Sequence, residues 1–153
     1  MHALRPFLAS DAAEVAALEA LCNPSPWRAE DLVPFAGSEG SSFVQMGQVA
    51  VDREGYLAGY ALASLVAGEA ELLIVGVRLD ARRQGVARRV LEALFKRLKE
   101  SGADSVFLEV RRGNHAAIRL YEKLDFASNG VRAGYYADNG EDALLFRKEL
   151  SGD

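Results

Sequence analysis

The chain has 153 residues, half of them hydrophobic and 26% charged, which suits a folded protein with a substantial core. Its formal net charge of −4 argues against a surface built as a whole to hold nucleic acid. With one cysteine, Cys22, and only His2 and His115 beside it, the chain offers no internal disulfide and no zinc constellation.

No signal-type apolar core follows Met1, and no apolar run approaches the ~18 residues of a membrane span. The expectation is a cytoplasmic protein, one domain over residues 1–153, with no metal, nucleic acid or membrane among its partners. Leu4 to Leu8 reads as a first strand. Asp11 with Glu14 resembles a capping box, and Val15, Leu18 and Leu21 follow at helical spacing. Asn23-Pro24-Ser25-Pro26 ends that helix, and residues 28–36 form a short second one. Three strands are expected near 43–51, 56–66 and 69–77, separated by turn signals at Asp52–Gly55 and Gly68-Glu69. Val86, Val90, Leu91, Leu94, Phe95 and Leu98 then make an apolar helical stripe that stops near Ser101-Gly102. Residues 105–111 read as a strand, 115–124 as a helix capped by Asn114, and 127–132 and 142–149 as the last two strands. The order β-α-α-β-β-β-α-β-α-β-β predicts an α+β (mixed α/β) sheet with helices on both faces.

One segment stands out electrostatically. Between Arg82 and Glu100 there are seven Arg or Lys and two Glu, a local net of +5 in a chain of −4. Arg82, Arg83, Arg88 and Arg89 crowd the helix start around Gly85, which costs about 1 kcal/mol relative to alanine inside a helix. A helix N-terminus carries unpaired N–H groups and the positive end of a dipole, and glycine lets a phosphate approach closely. The segment therefore reads as a seat for a phosphate-bearing ligand; a solvated basic helix face is the plain alternative. Gln84-Gly85-Val86-Ala87 is neither a Walker loop nor a dinucleotide fingerprint.

Arg82-x-x-Gly85-x-Ala87 after a strand resembles the Q/R-x-x-G-x-G/A motif of the GNAT N-acetyltransferases. "FLEVRRGNHAAIRLYEKLDF" (107–126) resembles that family's next strand–helix unit. With "SPW" (25–27) and "GYY" (134–136), the pattern is similar to the RimI branch, which acetylates the N-terminal alanine of ribosomal protein bS18. The resemblance implies a GNAT acyl-CoA N-acyltransferase fold and acetyl-CoA as co-substrate. It implies that the loop amides of Arg82, Arg83, Gln84, Gly85, Val86, Ala87 and Arg88 hold the pyrophosphate. By the same resemblance Val75-Gly76-Val77 carries the pantetheine arm and the oxyanion donor, and Gly76 would suit a bulged strand. Two positions depart from the family pattern: Ala87 replaces a second glycine, and Asp125 replaces a glycine at a helix end, where Asp tolerates the left-handed conformation.

Acyl transfer from a thioester to an amine needs a base, an oxyanion donor and an acid for the thiolate. Glu109 sits between Leu108 and Val110, where a carboxylate is expensive without a task or a partner. The resemblance makes it the general base; an ion pair with Arg111 or another arginine is the alternative. The resemblance makes Tyr121 the proton donor to the thiolate, against a plain core tyrosine. Asn114 lies seven residues earlier, about two turns or ~10.5 Å along the helix, so both can meet an extended cofactor, although Asn114 also suits a simple N-cap. Trp27, Tyr135 and Tyr136 are candidates for a peptide pocket. The leading expectation is N-terminal acetylation of a protein. A lysine or small-amine acceptor, and a non-catalytic acyl-CoA-binding module, are the rivals.

Overall fold

The computed structural model describes residues 2–21, 26–37 and 43–150, with Phe43 by its backbone alone. The proposed helix break over residues 23–26 and Cys22 lie wholly or mostly outside these residues. Strands β1 (Ala3–Pro6), β2 (Phe43–Val51), β3 (Leu57–Val66), β4 (Glu69–Val77), β5 (Ser105–Arg111), β6 (Ala127–Arg132) and β7 (Ala143–Glu149) form one sheet in the order β1-β2-β3-β4-β5-β7-β6. All neighbours are antiparallel except β4 and β5. Helices α1 (Ala12–Ala20) and α2 (Ala29–Leu32) cover one face; α3 (Val86–Glu100) and α4 (His115–Lys123) cover the other.

The two faces have separate cores. Phe7, Val15, Leu32, Phe35, Val49, Leu62 and Ile74 pack under α1 and α2. All six residues of the α3 stripe are buried with Leu65, Val106, Leu108 and Val110 on the opposite side. At about 1.5–3 kcal/mol per buried large side chain, these apolar faces hold the helices to the sheet.

Several expectations are corrected. β1 ends at Pro6, because Phe7 already turns inward to be fully buried. Asp11 does not cap α1: its carboxylate accepts from Leu8 N–H at 2.8 Å and pairs with Arg5 at 2.8 Å. Glu14 accepts a hydrogen bond from Leu57 N–H at 2.7 Å, tying α1 to β3. Leu21 is 81% exposed, while Glu19 turns inward and accepts from the Tyr60 hydroxyl at 2.6 Å. The second helix is α2 followed by a 3-10 turn over Val33–Ala36, since Pro34 lacks the N–H that a continued α-helix uses.

Gly76 is not bulged. The irregularity in β4 falls at Leu73, which has no partner on β3, while Leu62 pairs Ile74 and Ala63 pairs Leu72. The extra residue reverses the alternation: Ala70 and Leu72 face α3 before it, Val75 and Val77 after it. Gly76 is required for another reason, as a Cβ there would collide with the ring and hydroxyl of Tyr60.

Candidate active site

β4 and β5 pair in register only over Glu69–Ser105, Ala70–Val106 and Glu71–Phe107. Beyond that point the strands part, and Val75, Gly76 and Val77 keep their pairing to Ala61, Tyr60 and Gly59 on β3 alone. One edge of β4 and one edge of β5 thus face each other across a gap in the middle of the sheet. Unpaired strand edges present backbone N–H and C=O groups to whatever fills that gap.

The gap opens toward the start of α3. Arg83 and Gly85 both adopt the left-handed conformation, with φ of 63° and 73°. That conformation costs an L-residue roughly 1–2 kcal/mol, so Arg83 is held there by its surroundings and Gly85 is there at little cost. No side chain caps α3 and no acid stands in its first turn, so the amides of Val86, Ala87 and Arg88 keep their capacity for an anion. A Cβ on Gly85 would meet nothing within 4 Å. The glycine borders open space, with Arg82, Arg83, Gln84 and Arg88 exposed around it. Arg82 and Gln84 also brace the turn by donating to the carbonyls of Val77 and Asp80. Arg89 donates to the carbonyl of His2 at 2.7 Å instead.

Glu109 and Tyr121 lie on opposite faces of the sheet. Leu108 and Val110 point into the α3–α4 core, so Glu109 points to the other face. One carboxylate oxygen of Glu109, Oε2, is buried without a hydrogen-bond partner, and the other lies 3.8 Å from Arg132. Arg111 is not its partner. That guanidinium forks onto Asp138 at 3.0 Å and reaches Glu141 at 3.5 Å, pinning the loop before β7. A carboxylate oxygen buried without a hydrogen bond is costly in a purely structural role.

Tyr121 is buried beside Phe126 and Phe146, with ring centroids 5.5 and 6.5 Å away. Burial, with a smaller contribution from Tyr136, raises its hydroxyl above the ordinary tyrosine value, so it stays protonated at neutral pH. Asn114 does cap α4, its side chain accepting from Ala117 N–H at 3.2 Å, which leaves its NH2 group as the donor for a ligand. Asp125 takes the left-handed conformation expected after α4, with φ of 71°.

The paired tyrosines arrive near Glu109. Tyr136 stacks under Arg111 at 4.0 Å and edge-on to Tyr135 at 5.1 Å, and Arg132 sits 5.4 Å over Tyr135. Burial, then the charge of Glu109, raises the Tyr136 hydroxyl. Trp27 packs edge-on against Phe35, 5.8 Å away, on the α1–α2 side of the sheet that Glu109 also faces. Sequence reasoning passed over two residues of this neighbourhood, Arg132 and Glu71. Glu71 lies between Ala70 and Leu72 in an apolar strand, the same signal that singled out Glu109.

An open gap lined by strand edges, leading to a glycine-bordered helix start, fits an extended ligand with a phosphate at one end. The acetyltransferase (GNAT) family profile matches residues 12–126. The chain belongs to the GNAT acetyltransferase family.

A [ribosomal protein bS18]-alanine N-acetyltransferase of Escherichia coli K12 is 33% identical over 136 residues, covering 88% of each chain. An N-alpha-acetyltransferase of Saccharolobus solfataricus P2 is 44% identical over 90 residues, covering 58% of this chain and 53% of that one. The crystal structure of the ribosomal-protein-S18-alanine N-acetyltransferase from Escherichia coli superposes with a TM-score of 0.83 at 29% identity, covering 100% of this chain and 96% of the other. This GNAT chain is therefore an acyltransferase, and its co-substrate is acetyl-CoA. Among the described residues no group of three or more His, Cys, Asp or Glu is placed to hold a metal, and no helix is long and apolar enough to cross a membrane.

Gly85→Glu places bulk and negative charge in the open space at the start of α3. The expected result is at least a tenfold loss of acetyl-CoA affinity by calorimetric titration; no neighbouring atom is displaced, and the left-handed backbone at φ 73° costs the new side chain roughly 1–2 kcal/mol, which the fold should survive. Unchanged affinity in a folded variant would remove the phosphate role from this loop.

Proposed function

We propose that the chain acetylates the free α-amine of a protein N-terminus, its substrate being the N-terminal alanine of ribosomal protein bS18. The supporting observation is the gap between β4 and β5, with a carboxylate carrying a buried, unbonded oxygen on one face of the sheet and a protonated tyrosine in the core of the other. The likeness to bS18-alanine acetyltransferases along most of the chain supports the choice of acceptor. A ribosomal protein is met in the cytoplasm, and that is the proposed location.

The chemistry follows from the placement. Glu109 accepts a proton from the incoming ammonium, directly or through a water. The freed amine attacks the thioester carbonyl, held against the Val75–Val77 edge, where a backbone N–H stabilises the oxyanion. As the C–N bond forms and the C–S bond breaks, Tyr121 protonates the leaving thiolate and is recharged from solvent. Overall one proton is released, since the ammonium loses two and the thiolate keeps one. An α-amine titrates near 7.7–8.0, so a carboxylate is a sufficient base, whereas lysine near 10.4 would ask much more of it. Arg82, Arg83, Gln84, Gly85, Val86, Ala87, Arg88 and Asn114 hold the donor, and Tyr135 and Tyr136 line the acceptor side.

The test is an acetylation assay on peptides with varied N-termini against matched peptides carrying internal lysines. Peptides beginning with alanine should be the best acceptors. Those beginning Ala-Arg should outperform Ala-Glu at low salt, as suits an acidic protein. Signal on lysine alone would reject the proposal.

A further inference from the structure

The site contains a second carboxylate that the proposed reaction does not use. Glu71 is the last residue of β4 to pair with β5, opposite Phe107. In a parallel pair, residues in register share a face, and Glu109 lies two residues beyond Phe107 on that face. The two carboxylates therefore face the same side of the sheet at the mouth of the gap, near enough for the charge of Glu109 to act on Glu71. Glu71 is half-buried, and Arg132 from β6 is the cation that both of them feel. Two acids and one arginine leave a local charge of −1, with Glu109 Oε2 unsatisfied. Burial first, then repulsion by Glu109, raises Glu71 above the usual carboxylate value, and Arg132 opposes this.

That environment is unfavourable to the protein alone and is relieved by one added cation with several N–H donors. Simple structural duty does not account for it. Glu69, two residues earlier on the same face, is paired with Arg147 at 3.3 Å, which shows how this strand satisfies a carboxylate without a ligand. A primary ammonium carries +1 and three donors, enough for both carboxylates at once.

We propose that Glu71 is a specificity-determining residue that holds the acceptor's ammonium group beside Glu109, so that the amine is captured charged and deprotonated in place. This rests on the acetyltransferase reading of the site and extends it to how the acceptor is chosen. Glu71 binds the cation, and Glu109 takes its proton. Binding is then tied to a free, charged amine, and the acetylated product, which has lost that charge, is released.

The experiment separates binding from turnover. The dead-end complex of the protein with CoA is titrated calorimetrically with an Ala-Arg-starting peptide and with the same peptide already N-acetylated. Glu71→Gln should weaken the free-amine peptide at least tenfold and leave the acetylated peptide within about twofold. Steady-state kinetics should show a raised peptide KM with kcat within about threefold and acetyl-CoA affinity unchanged. Glu71→Asp should recover part of the loss. Equal weakening of both peptides would overturn the proposal, as would an unchanged KM in a folded variant. If the wild type acetylates only lysine-bearing peptides, the N-terminal assignment falls, while the same ratio measured on the lysine acceptor and its ε-acetylated form still decides the role of Glu71.

Discussion

Glu109→Gln is expected to lower turnover by roughly 10²–10⁴-fold at neutral pH, the usual contribution of a general base. The amide keeps the shape of the carboxylate, so the strand and the gap beside it persist. Acetyl-CoA affinity should be unchanged, because its proposed contacts lie on the β4 edge and the α3 start. The loss should shrink as pH rises past the α-amine range near 8, where the acceptor deprotonates without help. Rates for wild type and variant measured from about pH 6 to pH 10 provide the check. A variant at the wild-type rate near pH 7 would make Glu109 a structural partner of Arg132, 3.8 Å away, and nothing more.

Tyr121→Phe should lower turnover by an order of magnitude or more with acetyl-CoA affinity little changed. The ring contacts with Phe126 and Phe146 survive in the variant, so the fold should hold. The raised hydroxyl adds a second readout with a definite sign. The folded chain holds this proton more tightly than the unfolded chain, so its contribution to stability is fully present below the ordinary tyrosine value near 10. It is lost as pH rises beyond that value. The Phe variant lacks that loss and should resist alkaline unfolding better than the wild type. Melting temperature at neutral and alkaline pH, together with a single-turnover rate, separates a proton donor from a packing residue. Preserved turnover with a lower melting temperature would assign Tyr121 to the core.

Elements with one strong period were readable in the chain itself. The α3 stripe needed only 3.6-residue spacing, and all its members are buried. The strands from Phe43 to Val77 needed only alternation and turn residues between them. The left-handed Asp125 was expected from the family resemblance, which puts a glycine there, and from the tolerance of Asp for a positive φ. The clustering of arginines around Gly85 pointed to an anion before any fold was known.

Errors arose where a side chain had a choice of distant partners. Asp11 and Glu14 satisfy a local capping pattern, yet one binds Arg5 and the other reaches β3, 43 residues away. Leu21 keeps helical spacing but lies beyond the sheet that covers Val15. Glu71 carries the same local signal as Glu109, but what it faces is set by the neighbouring strand. Local sequence sets periodicity, turn chemistry and the charge of a segment, because those act over a few residues. The parting of β4 from β5, the approach of Glu71 to Glu109 and the arrival of Arg132 and Tyr136 near them join residues up to 65 positions apart, from Glu71 to Tyr136. Such contacts are decided when strands choose register and order in the sheet, by burial summed over the whole core, which no short stretch of chain contains.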